Sequence, residues 1–200
     1  MKKNFFIIIF FIFLSTLLSN KVASYSSDPK QFITEVVDEA KRVLVETNTK
    51  KFKEEKLSEI ALKAADISGI GYYTLGKYRK GMSDEELQKY SELFEKYFLK
   101  SFTSRLTDYS DPKIEVIGVD VLSPKYTIVK SLLLATDKKP EVKIDWRVYT
   151  KNPDKPLIRD LIVEGLSLAR TQKEEFASVI ESNNGDVKQL FITLQKFIDK

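Results

Sequence analysis

The chain has 200 residues, no cysteine, no histidine and a formal net charge of +4. Disulfides, a lipid-modified cysteine, a thiolate nucleophile, a histidine base and the main transition-metal ligands are thereby excluded. A length of this order suits one domain with a true hydrophobic core.

Met1-Lys-Lys3 is a basic lead, followed by an apolar run from Phe5 to Leu18 and small residues around Val22-Ala23-Ser24. This order of features predicts a secretory signal peptide, with cleavage after Ser24 or Ser26. The run of about fourteen residues falls short of the roughly 20 needed to span a bilayer. We therefore expect residues 1–25 to leave and residues 26–200 to form a single exported domain, free in its compartment. Lys2, Lys3 and Lys21 leave with the leader and no acidic residue precedes Asp28, so the net charge falls from +4 to +1. A nearly neutral chain with interspersed signs has no nucleic-acid footprint.

Asp28-Pro29 predicts a helix start, since Asp can cap and Pro suits the first helical position. Ile33, Val37, Ala40 and Leu44 recur at helical spacing. After Asn48 and Thr49, a Lys/Glu-rich helix carries Leu57, Ile60, Ala61 and Ala64 on its inner side. The segment Ala65 to Gly76 also reads helical, through Ile67, Ile70, Gly71, Thr74 and Leu75. Its three glycines cost on the order of 1 kcal/mol each against alanine. Either close helix packing or room for a ligand must compensate. Ser83-Asp-Glu-Glu86 is a capping box opening a long helix whose apolar face is Leu87, Tyr90, Phe94, Tyr97, Phe98 and Phe102.

From Lys113 the period changes to two. Ile114 to Val121 reads as a strand with a possible bulge at Gly118, and Tyr126 to Thr136 as a long apolar strand. Glu141 to Tyr149 alternates Val142, Ile144, Trp146 and Val148 with polar residues. The Pro-containing turn Lys151 to Pro156 leads to an apolar run, Leu157 to Leu166. Four strands joined by short polar turns predict an antiparallel meander. Thr171-Gln-Lys-Glu174 is read as the cap of a helix carrying Phe176, Val179 and Ile180. A last helix carries Val187, Leu190, Phe191, Leu194, Phe197 and Ile198. The fold class is α+β, a four-stranded antiparallel sheet packed against several helices.

Catalysis has little to stand on. Asp160 and Glu164, taken as one strand, lie about 13 Å apart at about 3.3 Å per residue, beyond the roughly 5–9.5 Å of paired glycosidase carboxylates. Pairing with Lys143 or Arg147 across the sheet is the structural reading, and no enzyme activity is expected. What remains is apolar surface, and pattern alone favours a filled core over a hollow one.

The run Asp160-Leu-Ile-Val-Glu-Gly-Leu-Ser-Leu168, followed by Phe176, resembles the C-terminal signature of the MlaC family of periplasmic phospholipid-binding proteins. Asp28-Pro29, Phe32-Ile33, Leu75-Gly-Lys-Tyr78 and Phe94-Glu-Lys-Tyr-Phe98 recur in the order of the family pattern, so the resemblance covers nearly the whole exported chain. Thr171-Gln172-Lys173 departs from it, standing where many relatives have Asn-Tyr-Arg. The resemblance implies an apolar cavity between sheet and helices that holds acyl chains, with phospholipid as cargo and no other cofactor. The lining it implies takes Ile128, Leu132, Leu134, Ile144, Trp146, Val148 and Val163 from the sheet. From the helices it takes Ile67, Ile70, Tyr73, Leu75, Phe94, Phe98, Phe102, Phe176 and Ile180. The implied partners are an inner-membrane ABC transporter complex with its substrate-receiving subunit and an outer-membrane lipoprotein complex, the carrier itself being a monomer. The alternative is an exported interaction module with a filled core and no lipid.

Overall fold

The computed structural model describes residues 24–137 and 140–200. Of the expected leader, all but Ser24 and Tyr25 lies outside the described residues, as does the middle of the turn from Asp137 to Pro140.

Four helices come first: α1 (Pro29–Val45), α2 (Lys50–Ala64), α3 (Ile67–Leu75) and α4 (Asp84–Leu106), with a 3-10 turn (Gly76–Gly81) before α4. Each α-helix starts where a side chain can satisfy an orphan backbone N–H. Asp28 accepts from the Gln31 amide, Thr49 from Phe52, Asp66 from Gly69, and Ser83 with Glu86 forms the expected capping box. All four apolar residues expected on the inner side of α2 are buried.

The sheet is a meander of five antiparallel strands in sequence order: β1 (Ile114–Ser123), β2 (Tyr126–Leu133), β3 (Val142–Tyr149), β4 (Leu157–Val163) and β5 (Leu166–Ser167). The β1 register shifts between Val116 and Gly118, at the expected bulge. The second strand is shorter than its apolar run and ends at Leu133. The expected fourth strand divides in two. Glu164 and Gly165 have φ of 49° and 82°, the positive pair that a two-residue type I′ hairpin needs, and Val163 then faces Leu166.

The chain finishes with α5 (Leu168–Glu181) and α6 (Val187–Ile198). Helix α5 begins one turn before Thr171, which was expected to cap it. Ser167 caps instead, accepting from Arg170 N–H, and Thr171 sits inside the helix with its hydroxyl on the Ser167 carbonyl.

Two apolar clusters result. One joins α1 and α2 to the sheet through Phe32, Ile33, Leu57, Val129, Trp146 and Val148. The other joins α3, α4, α5 and α6 through Ile70, Tyr90, Phe94, Phe176, Ile180 and Leu190. Ala65 touches both.

Candidate functional site

Strand register decides which sheet residues can form one wall. Across β2 and β3, Thr127 faces Val148, Val129 faces Trp146, and Ser131 faces Ile144. Across β3 and β4, Trp146 faces Leu161 and Ile144 faces Val163. Side chains alternate faces along a strand, so Ile144, Trp146, Val148 and Val163 share the face that packs on α1 and α2. The Trp146 indole N–H donates to Ser131 Oγ at 2.9 Å, and that hydroxyl donates to the Ile144 carbonyl at 2.8 Å. A buried ring therefore keeps its one polar group satisfied.

Ile128 and Leu132 pair with Arg147 and Lys143 and stand on the opposite face, so one cavity cannot take both sets as its wall. Leu134 lies just past the end of β2, half-buried, with its N–H on the Lys113 carbonyl at 2.8 Å. The other parity of β2, with Val129 and Ser131, stands on the face of Trp146.

The helical residues come together better. Ile67, Ile70, Leu75, Phe94, Phe176 and Ile180 are buried in one cluster, with Phe98 packed against it. Along α4, Tyr90, Phe94, Phe98 and Phe102 form a ladder of rings one turn apart, with centroid steps of 5.7, 6.1 and 5.8 Å. Phe176 meets Phe94 edge-on at 6.3 Å. Tyr90, outside the expected lining although one turn from Phe94, is fully buried. Burial pushes its phenol pKa up, and the hydroxyl is held 2.7 Å from Thr74 Oγ1. Phe98 and Phe102 are only half-buried. Tyr73 is 47% exposed, with the Lys173 ammonium 5.2 Å from its ring, so it faces out rather than in.

Two hollows are seen among the described residues. One is polar and open, at the turn Ser182 to Asp186 beside Gln189. The other, about 150 Å³, lies between α3 and α4 beside Gly71 and Phe94, below the roughly 300–1,000 Å³ of small-molecule sites. Close packing is the use of Gly71: a Cβ there would stand 2.8 Å from Phe94 Cδ1.

Between the clusters runs a polar clamp. Arg159 of β4 donates from Nε at 2.7 Å and from Nη2 at 2.5 Å to Asp66 Oδ2, the carboxylate that caps α3. Its Nη1 donates to Tyr126 Oη at 3.1 Å, and the guanidinium lies 3.8 Å from the Tyr149 ring centroid. Asp66 N–H also donates to the Ile158 carbonyl at 2.9 Å. Helix α4 links the same two clusters apolarly, from Tyr90 in one to Leu106 beside the other.

A family model described as MlaC protein matches residues 16–196. The chain belongs to the MlaC family. A solved structure of a phospholipid-binding protein from Ralstonia solanacearum, in complex with a phospholipid, has the same fold: TM-score 0.71 at 19% identity, covering 87% of this chain and 97% of that one. No curated protein matches the chain.

In this MlaC-family chain the signature carboxylates hold the fold together. Asp160 accepts from Ser167 Oγ at 2.6 Å and from Ala169 N–H at 3.0 Å, fixing the start of α5, and its Oδ2 is 4.0 Å from Arg147 Nε. Glu164 is not on the strand with Asp160 but in the hairpin turn, where its carboxylate accepts from the Lys143 amide. Both thus lie opposite the basic residues expected of them, with their oxygens engaged. Among the described residues no group of three or more Asp or Glu is placed to hold a metal ion, and no helix is long and apolar enough to cross a membrane.

Proposed function

We propose that this protein is an exported phospholipid carrier, moving lipid through the periplasm between an inner-membrane ABC transporter complex and an outer-membrane lipoprotein complex, and so maintaining outer-membrane lipid asymmetry. The observation that carries the reading is its membership of a family whose fold, in the Ralstonia protein, is found in complex with a phospholipid. Lipid is the cargo, and the chain acts as a monomeric binder without catalytic residues.

The physics of the task needs only a wall. Each methylene kept from water contributes about 0.8 kcal/mol, so an acyl chain leaves a bilayer only for an equivalent apolar surface. The acyl chains enter where the two clusters meet, against Ile144, Trp146, Val148 and Val163 on the sheet and the Phe94–Phe98–Phe102 ladder on α4. Ile67, Ile70, Leu75, Phe176 and Ile180 back that ladder. Loading separates the clusters.

Solvent extraction of protein purified from a producing bacterium, followed by mass spectrometry, is expected to release phospholipid, and native mass spectrometry to show the matching added mass. The two buried apolar clusters favour one rival, an interaction module with a filled core. A protein that is lipid-free when isolated and takes up none from phospholipid vesicles would establish that rival instead.

A further inference from the structure

The sequence offers two places for the leader to be removed, because small residues flank both Val22-Ala23-Ser24 and Ser24-Tyr25-Ser26. The fold distinguishes them. Ser24 is exposed, whereas Tyr25 is half-buried. The Tyr25 ring meets the fully buried Phe32 edge-on at 5.5 Å, its hydroxyl donates to the Glu39 carboxylate, and the Lys63 ammonium lies 5.9 Å from its ring. The next amide, Ser26 N–H, donates to Glu35 Oε2 at 2.8 Å, and Ser26 Oγ accepts from Asp28 N–H at 3.2 Å, one residue before α1. Tyr25 and Ser26 thus belong to the sheet-side core and to the start of its first helix.

We propose that the processing site lies between Ser24 and Tyr25, making Tyr25 the first residue of the exported protein. Hydrolysis of that peptide bond by a leader peptidase leaves a carboxylate on Ser24 and an ammonium on Tyr25. The new positive charge stands next in the chain to an amide already held by Glu35, with Glu39 on the tyrosine's own hydroxyl, so the carboxylates of α1 favour it. A cut after Ser26 would discard the ring that covers Phe32 and leave Glu39 with Lys63 alone, at 3.6 Å. This inference is independent of what the protein carries.

The test is the intact mass of the protein exported from its full-length gene by a Gram-negative host. The mass of residues 25–200 is expected, and that of 27–200, or of any other start, overturns the proposal. Ser26 belongs to the rival site alone, so Ser26→Leu should be processed as the parent is, and a precursor left uncut in that variant refutes the assignment. Tyr25→Gln, which creates no new small-residue site and is cut at the same bond, should melt several degrees lower, and an unchanged melting temperature would remove the anchoring role on which the choice rests.

Discussion

The sheet-side core and the helix-side core bury apolar surface with different materials. On the sheet side, Phe32 and the aliphatic residues of α1 and α2 lie on a wall whose spacing is fixed by backbone ladders, and Ser131 satisfies the single tryptophan. On the helix side no backbone ladder joins the helices. Rings from α4, α5 and α6 meet at centroid distances of about 5 to 6.5 Å, at angles from 9° to 90°. Helices held by side chains alone can shift and repack, whereas a hydrogen-bonded sheet resists separation of its strands. If a guest is admitted as proposed, the contrast predicts that the helix side is the wall that moves and that Phe98 and Phe102, half-buried at its border, meet it first.

Substitution on each side tests the difference. Trp146→Ala removes a buried ring and leaves Ser131 without its donor, and should cost about 3–5 kcal/mol in chemical denaturation. Phe98→Ala should cost roughly 1–2 kcal/mol, since the ring is only half-buried, yet reduce co-purified phospholipid several-fold. If Phe98→Ala keeps its full lipid load, the ladder is only structural and the moving wall lies elsewhere.

The next largest effect belongs to the clamp between the cores. Arg159 and Asp66 are 29% and 19% exposed, and Arg159→Ala strips a partly buried carboxylate of its bidentate partner. A loss of about 1.5–3 kcal/mol is expected, in the range of hydrogen bonds to charged groups. If the clamp limits separation of the cores, lipid exchange between the variant and vesicles should also be faster. A destabilised variant with an unchanged exchange rate would confine the clamp to a structural role.

Much of this architecture was legible in the sequence because the signals were local. The capping box at Ser83, the stripe of α2 and the alternation through Trp146 each depend on a few neighbouring residues. Register was not legible, since parity within a strand does not say which parity of the next strand it faces. Strand β2, Tyr-Thr-Ile-Val-Lys-Ser-Leu-Leu, has apolar residues on both parities. Ile128 and Leu132 looked like the inner set, yet Trp146 needed an acceptor and Ser131 supplied it from the other parity. The α5 cap was missed for a similar reason. Thr171 and Ser167 both head plausible helix starts, and the decision rests with Asp160, nine residues before Ala169, whose carboxylate holds the first turn. What lies between the two clusters was beyond any pattern, because periodicity marks an apolar face without saying what lies against it.

Acid and alkali should separate the two halves most weakly. On the helix side, hydrogen bonds from Lys77 at 2.9 Å and Tyr78 at 2.8 Å hold Glu181 below its ordinary pKa, and the same pair raises Lys77. On the sheet side, the hydrogen bond to Asp120 raises Lys130. A depressed carboxylate contributes stability above its unfolded value, about 4.3, which is lost as pH falls through its folded value. A raised lysine contributes below its unfolded value, about 10.4, and loses that contribution as pH climbs past it. Glu181→Gln should therefore flatten the profile of denaturation midpoint against pH at both ends, while Asp120→Asn should remove the Lys130 contribution at the alkaline end. All these groups are exposed, so both effects should be small and shrink further in high salt. A parent profile that keeps its acid slope after Glu181→Gln would assign the acid sensitivity to carboxylates outside the helix-side pair.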